Sequence, residues 1–436
     1  MHSLFFSSKR FVACAFVASM IVVGLRGHAL AVDGTWSNPA GGSYTDPGNW
    51  SGGTVATGAG GTANFNTLDL TGDIGVSLET PLTIGNLIFG DTGLSSAATW
   101  AINTSNQATT IMTLDNGASK PNITVNALTP TTFDSVFIGP SLAGTNGFNK
   151  LGSGVLELAA GATNTITGGI SIDTGTLRQR AVLNGQAITI GNGATLDTNQ
   201  SLRNVAVGGA VHSIVVASGN TATIRATNNI GNVSASGATL NLQVPASSTL
   251  TAADSWIVNG APSAVNVTGL GSASNLRLSI NGAGFNGANF LNAPVNLDNV
   301  IVWTRTNSGG NTVSFGSLSG TSTAVLSGGG QGGGTVATYS IGNLNTNTEF
   351  AGTIDITSAP TATGGLNLLK VGTGTLTLSG NLTYQPTLNA TVNRRGGVTT
   401  VSTGTLALKN NAQIPGGIVG QNSIVNVLNG ATLNVF

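Results

Sequence analysis

Lys370-Val-Gly-Thr-Gly-Thr-Leu-Thr-Leu378 and Lys150-Leu-Gly-Ser-Gly-Val-Leu-Glu-Leu158 both fit the phrase K-x-G-x-G-x-L-x-L. In each, leucine alternates with a polar or β-branched residue, which puts Leu on one face of a strand and its neighbours on the other. The glycines ahead of the strand mark a tight corner. A second phrase, T-G-T-L, follows at 174–177 and again at 403–406, 24 residues after Lys150 and 33 after Lys370. The second copy therefore carries nine extra residues between shared strands, and an insertion at one point of a repeat maps to a loop. A third phrase, N-G-A-T-L, stands at 192–196 and 429–433, with the near copy S-G-A-T-L at 236–240.

Working outward, short apolar-alternating runs recur at 188–190, 214–216, 256–258, 276–280, 301–303, 313–315 and 354–356. No helical period lies between them. Strands this short, with such regular Gly and Asn corners, fit stacked coils of about 20 to 25 residues better than hairpins. The expected fold is all-β, a parallel β-solenoid, with the N-G-A-T-L segments at equivalent corners. Leu156, Leu158, Leu177, Leu196, Leu376, Leu378, Leu406 and Leu433 should point inward.

Composition agrees. Only 7% of the 436 residues are charged, against a usual share of about 25%, so helices with solvated Glu/Lys faces are not expected to dominate. Fifteen basic and fifteen acidic residues give no net charge, and no basic stripe offers itself to nucleic acid. Lys9 and Arg10 precede the uncharged run 11–25, and Ala29-Leu30-Ala31 supplies a small-x-small cleavage site. Residues 1–31 thus read as a secretory signal peptide. No later stretch has the roughly 20 apolar residues of a spanning helix. The expected organisation is the signal at 1–31, an N-terminal cap and first coils at 32–147, coils with the first repeat at 148–367, and the second repeat with an open solenoid end at 368–436.

The K-x-G-x-G-x-L-x-L phrase followed by T-G-T-L resembles the autotransporter-associated β-strand repeat, whose pattern runs K-x-G-x-G-T-L-x-L-S-G and then G-T-L. Residues 370–380 match it nearly throughout, whereas 150–158 depart at Val155 and Glu157, with Ala159 following. The opening stretch, with N-W-S-G-G at 49–53 and G-T-A-N-F at 61–65, resembles the start of such proteins in planctomycetes and related bacteria. The resemblance implies a right-handed parallel β-helix in secreted or surface proteins of bacteria, and it is silent on activity.

The chemistry available is narrow. Cys14, the only cysteine, lies inside the signal, and loss of residues 1–31 leaves His212 as the only histidine. Disulfides, thiol nucleophiles and Cys/His zinc sites are excluded for the mature chain. No cofactor is implied. Gly328, Gly330 and Gly333 fit G-x-G-x-x-G, but a strand-like stretch follows where a phosphate cradle needs a helix N-terminus, so no nucleotide site is expected. Asp69 and Asp73 lie four apart across a turn without a third carboxylate for calcium. His212, at a strand start, reads as structural rather than as a lone base.

Three functional classes remain. The first is a noncatalytic secreted or cell-surface structural protein, adhesin-like, that meets a surface partner or extracellular polysaccharide through an extended polar surface. The second is a carbohydrate-binding module, with Trp36, Tyr44 and Trp50 as the candidate rings; the alternative reading of those rings is a hydrophobic cap on the first coil. The third is a β-helix polysaccharide lyase or hydrolase. Its best constellation is Asp173 and Asp197, 24 apart, with Arg178, Arg180 and Arg203. Paired carboxylates can hold one pKa high for acid catalysis, but arginines beside them keep both ionised. The first reading is the one the composition favours.

Overall fold

A computed structural model describes residues 30–436 apart from 94–97, 128–134, 184–185, 200–212, 227–230, 247–255, 273, 280–289, 306–310, 329–335, 359–364, 385–386, 390–391, 396, 411, 413 and 415–422. Residues 1–29 of the expected signal segment, His212, Arg203, Gly330 and Gly333 lie outside the described residues.

The chain is a parallel β-solenoid. Each coil lays a strand on the same strand of the coil before it. One sheet begins at Gly34–Thr35 and passes through Gly58–Phe65, Leu82–Phe89, Asn122–Val125, Phe148–Leu151, Ile170–Ile172 and Ile188–Ile190 to Trp256–Asn259. A second runs almost the whole length, through Ile74–Ser77, Val155–Leu158, Thr176–Gln179, Thr195–Thr198, Thr221–Ala226 and Thr239–Val244 to Thr432–Val435. A third joins Asn275–Ser279, Ile301–Arg305, Val325–Ser327 and Thr353–Asp355. The nine-residue insertion of the second repeat carries the one antiparallel pair among the named strands, Thr387–Asn389 with Val392–Arg395.

Alternation sets the core. Leu156, Leu177, Leu196, Ile224, Leu242, Val267 and Leu297 stand in one continuous register and are all buried. On the first sheet Phe148, Ile170, Ile188 and Ile214 stack likewise. Aromatic residues obey the same spacing: Phe65 lies flat on Phe89 with centroids 4.9 Å apart, close to the strand separation of about 4.8 Å. Leu156, Leu158, Leu177, Leu196, Leu376, Leu378 and Leu406 are buried as expected, while Leu433 is only half-buried. It belongs to the last coil, on which no further described coil stacks.

The corners follow the repeated phrases. Gly193, Gly237 and Gly430, from the three G-A-T-L copies, all have positive φ, at 73°, 69° and 80°, and each turns into a strand of the second sheet. The coil length is not fixed. Residues that touch on neighbouring coils are 18 apart at Arg225 and Gln243, 19 at Arg178 and Asp197, 21 at Glu157 and Arg178, and 25 at Asn241 and Asn266.

Candidate functional site

The lysine that opens each repeat phrase is a structural group. Lys150 ends up inside the solenoid, and its Nζ donates to the carbonyls of Leu151, Gly152 and Thr174 at 2.9, 2.7 and 3.1 Å. Lys370 repeats the pattern on Val371, Gly372 and Thr403 at 2.7, 2.7 and 3.2 Å. In both copies the third acceptor is the Thr of the T-G-T-L phrase on the next coil. Burial pushes the Lys150 ammonium down to about 7, and pushes Lys370 down too.

Of the charged residues singled out for catalysis, Asp197, Arg178 and Arg180 belong to a charged ladder on the outside of the second sheet. Glu157, Arg178, Asp197 and Arg225 occupy one register position on four successive coils. Arg178 bonds Glu157 at 3.0 Å and Asp197 at 3.4 Å, Arg180 bonds Asp197 at 3.0 Å, and Arg225 reaches Asp197 at 3.6 Å. Signs alternate along the row and neutralise one another. Asp173 is elsewhere. It is exposed in the turn after Ile170–Ile172, and its carbonyl lies against Gly191 on the next coil, not against Asp197. The spacing of 24 does not stack the two acids because the local coils are shorter. The pair expected from the sequence is thus not brought together, and the residues that Asp197 meets in register are Arg178 and Arg225.

Trp36, Tyr44 and Trp50 are brought together, but under the surface, at 0%, 0% and 2% exposure. Their centroids are 5.3 Å apart for Trp36 and Trp50 and 4.9 Å for Tyr44 and Trp50, both edge to face, with Phe65 packed beneath. Their polar atoms are satisfied within the chain: Trp36 Nε1 donates to Asn38 O, Tyr44 OH to Ala56 O, and Trp50 Nε1 to Tyr44 O. No ring presents a face for a sugar, so these residues cap the first coils instead.

Asp69 and Asp73 are both exposed, and Asp73 accepts from the Thr99 N–H and hydroxyl at 3.0 Å each. Among the described residues no three His, Cys, Asp or Glu side chains meet as a metal site. The strand Val336–Ile341 follows Gly328 and its glycine run, where a nucleotide cradle would need a helix.

What the sequence did not single out is a hollow directly outside the aromatic cap. A cavity of about 440 Å³ is lined by Asp33, Gly34, Thr35, Ser51, Thr54, Thr62, Asn64 and Ile88. Its floor is the outward face of the first sheet, where Thr35, Asn64 and Ile88 lie in register on three coils. Its wall is the loop that follows Trp50. That loop packs against Gly34, where an added Cβ would stand 2.5 Å from Thr54 O and 2.9 Å from the Trp50 ring.

Comparison with known proteins gives a partial likeness. No family profile matches the chain, and no solved structure does. The chain is similar to the adhesin BmaC autotransporter of Brucella suis biovar 1 (strain 1330), with 35% identity over 150 residues, or 33% of this chain. It spans about 4% of that protein's length.

Proposed function

We propose that this protein is a noncatalytic surface or secreted β-helix that adheres through its extended polar face, with an extracellular polysaccharide or surface partner as its target. The observation that carries the reading is the outward row of the first sheet. Thr62, Asn86, Asn122, Asn149, Ser171 and Thr189 follow one another on successive coils, all uncharged and all hydrogen-bonding residues. Asn149 donates to Asn122 at 2.9 Å, and the Asn122 N–H donates to Asn86 at 3.1 Å, so the row is held in order before anything binds. Many weak contacts on a rigid repeat add up through multivalency without any single strong one.

The ion pairs that hold Asp197 support the noncatalytic reading, because a carboxylate engaged by Arg178, Arg180 and Arg225 is occupied within the chain rather than offered to a substrate. Secretion through the segment at 1–31 supplies the exposure that adhesion requires. The test is to coat beads with the purified chain and score binding to neutral and acidic polysaccharides while following polymer length. Retention without shortening is expected. Depolymerisation that vanishes in Asp197→Asn would sink the reading.

A further inference from the structure

The hollow outside the aromatic cap has the chemistry of a specific site rather than of an average patch of the polar face. We infer that it takes an uncharged sugar residue, one or two rings at a glycan end or branch; this deepens the adhesive reading and rests on it.

The lining decides the ligand class. Among the described residues the hydroxyls of Thr35, Ser51, Thr54 and Thr62 have no side-chain hydrogen-bond partner, and each can both donate and accept. A sugar hydroxyl has that same dual capacity. Asp33 adds a fixed acceptor: its Oδ1 takes the Thr62 N–H at 2.7 Å, which aligns the carboxylate and leaves its other oxygen toward solvent. Asn64 is held in turn by the Asn66 N–H at 3.0 Å. Among the described residues no Lys, Arg or His lines the cavity, so phosphate, sulfate and uronate groups find no counter-charge from them, while Asp33 repels such groups. Ile88 gives a small apolar floor for the C–H face of a ring. The volume, about 440 Å³, is at the lower end of small-molecule sites.

Preorganisation is the second half of the argument. The floor is strand backbone on three coils, and the wall rests on the buried Trp50 ring, so the donors do not have to be ordered on binding. Gly34 is what permits the arrangement, since a side chain there would push the wall away from the floor.

The test uses the full chain with isotope-labelled isoleucine methyls, because Ile88 reports from inside the cavity. The probes are the methyl glycosides of glucose, galactose, mannose and N-acetylglucosamine, with inorganic sulfate as the charged control. A saturable shift of the Ile88 methyl with at least one glycoside and none with sulfate is expected. Thr62→Val and Asn64→Ala should each weaken that binding by about fivefold while leaving the other isoleucine signals in place. An Ile88 signal unmoved by every glycoside, moved equally by sulfate, or unchanged in both variants overturns the site. Bead adhesion of the same preparations separates the two claims. Adhesion that persists with an unresponsive Ile88 discards only this site, whereas a chain that adheres to nothing discards the broader reading.

Discussion

At the residue scale the repeat phrase is a hydrogen-bonding device. Lysine suits the point where the K-x-G-x-G corner meets the T-G-T-L corner of the next coil, because three carbonyls crowd there and its long side chain brings Nζ within hydrogen-bond reach of all three. Glycine is chosen beside it because the corners touch. At Gly175, with φ +69°, an added Cβ would lie 2.5 Å from both Gly152 O and Gly154 O. Gly404 stands in the same relation to Gly372 O and Gly374 O. Gly175→Ala should therefore destabilise the chain by more than the helix or strand propensity of alanine accounts for, about 2 kcal/mol or above, read as a loss in a denaturant melt. The lysines make stability depend on pH. Unfolded lysine titrates near about 10.4, and the folded Lys150 near 7, so between these values the unfolded chain binds more protons. Stability should be greatest above about pH 10 and fall as pH drops toward 7. Melting the chain across this window checks it, and replacing Lys150 and Lys370 together by Met should flatten the slope.

At the element scale the strands are too short to stand alone, and their stability comes from the layers above and below. Leu376 sits between Thr348 and Leu406 in register and is buried. Leu376→Ala should cost about 2 to 5 kcal/mol, and a neutral result in a reversible melt would count against the packing. The charge ladder makes a different demand. Asp197 is nearly buried and faces three guanidinium groups that are 18% to 38% exposed. Removing it by Asp197→Ala takes that acid from all three arginines, and a loss of about 1 to 3 kcal/mol is expected. High salt should narrow the gap between the variant and the parent, because the arginines are within reach of screening ions.

At the scale of the whole molecule the solenoid is a one-dimensional object. Each coil contacts its neighbours and advances the axis by about 4.8 Å. Small-angle scattering should give a rod several times longer than wide, and a compact envelope would refute the stacking. The first coils close over Trp36, Tyr44, Trp50 and Phe65.

The sequence by itself determined the fold class, the inward leucines and the corners, because each depends on neighbours along the chain. A period of two fixes which side chains share a face, and a positive φ demands glycine or asparagine wherever the corner falls. Which residues meet across coils was decided only by the tertiary structure. Coil length varies from one turn to the next, so the spacing of 24 that seemed to pair Asp173 with Asp197 instead set Asp173 beside Gly191 and Asp197 against Arg178. The aromatic residues at 36, 44 and 50 show the same limit. Their clustering was visible in the chain, but whether the rings faced a ligand or the core depended on the strand they flank and the loop that closes over them. The hollow beside them had no sequence signature, since its threonines, serine and asparagine are of the commonest kinds in this chain and become a site only where one loop rises over three stacked strands.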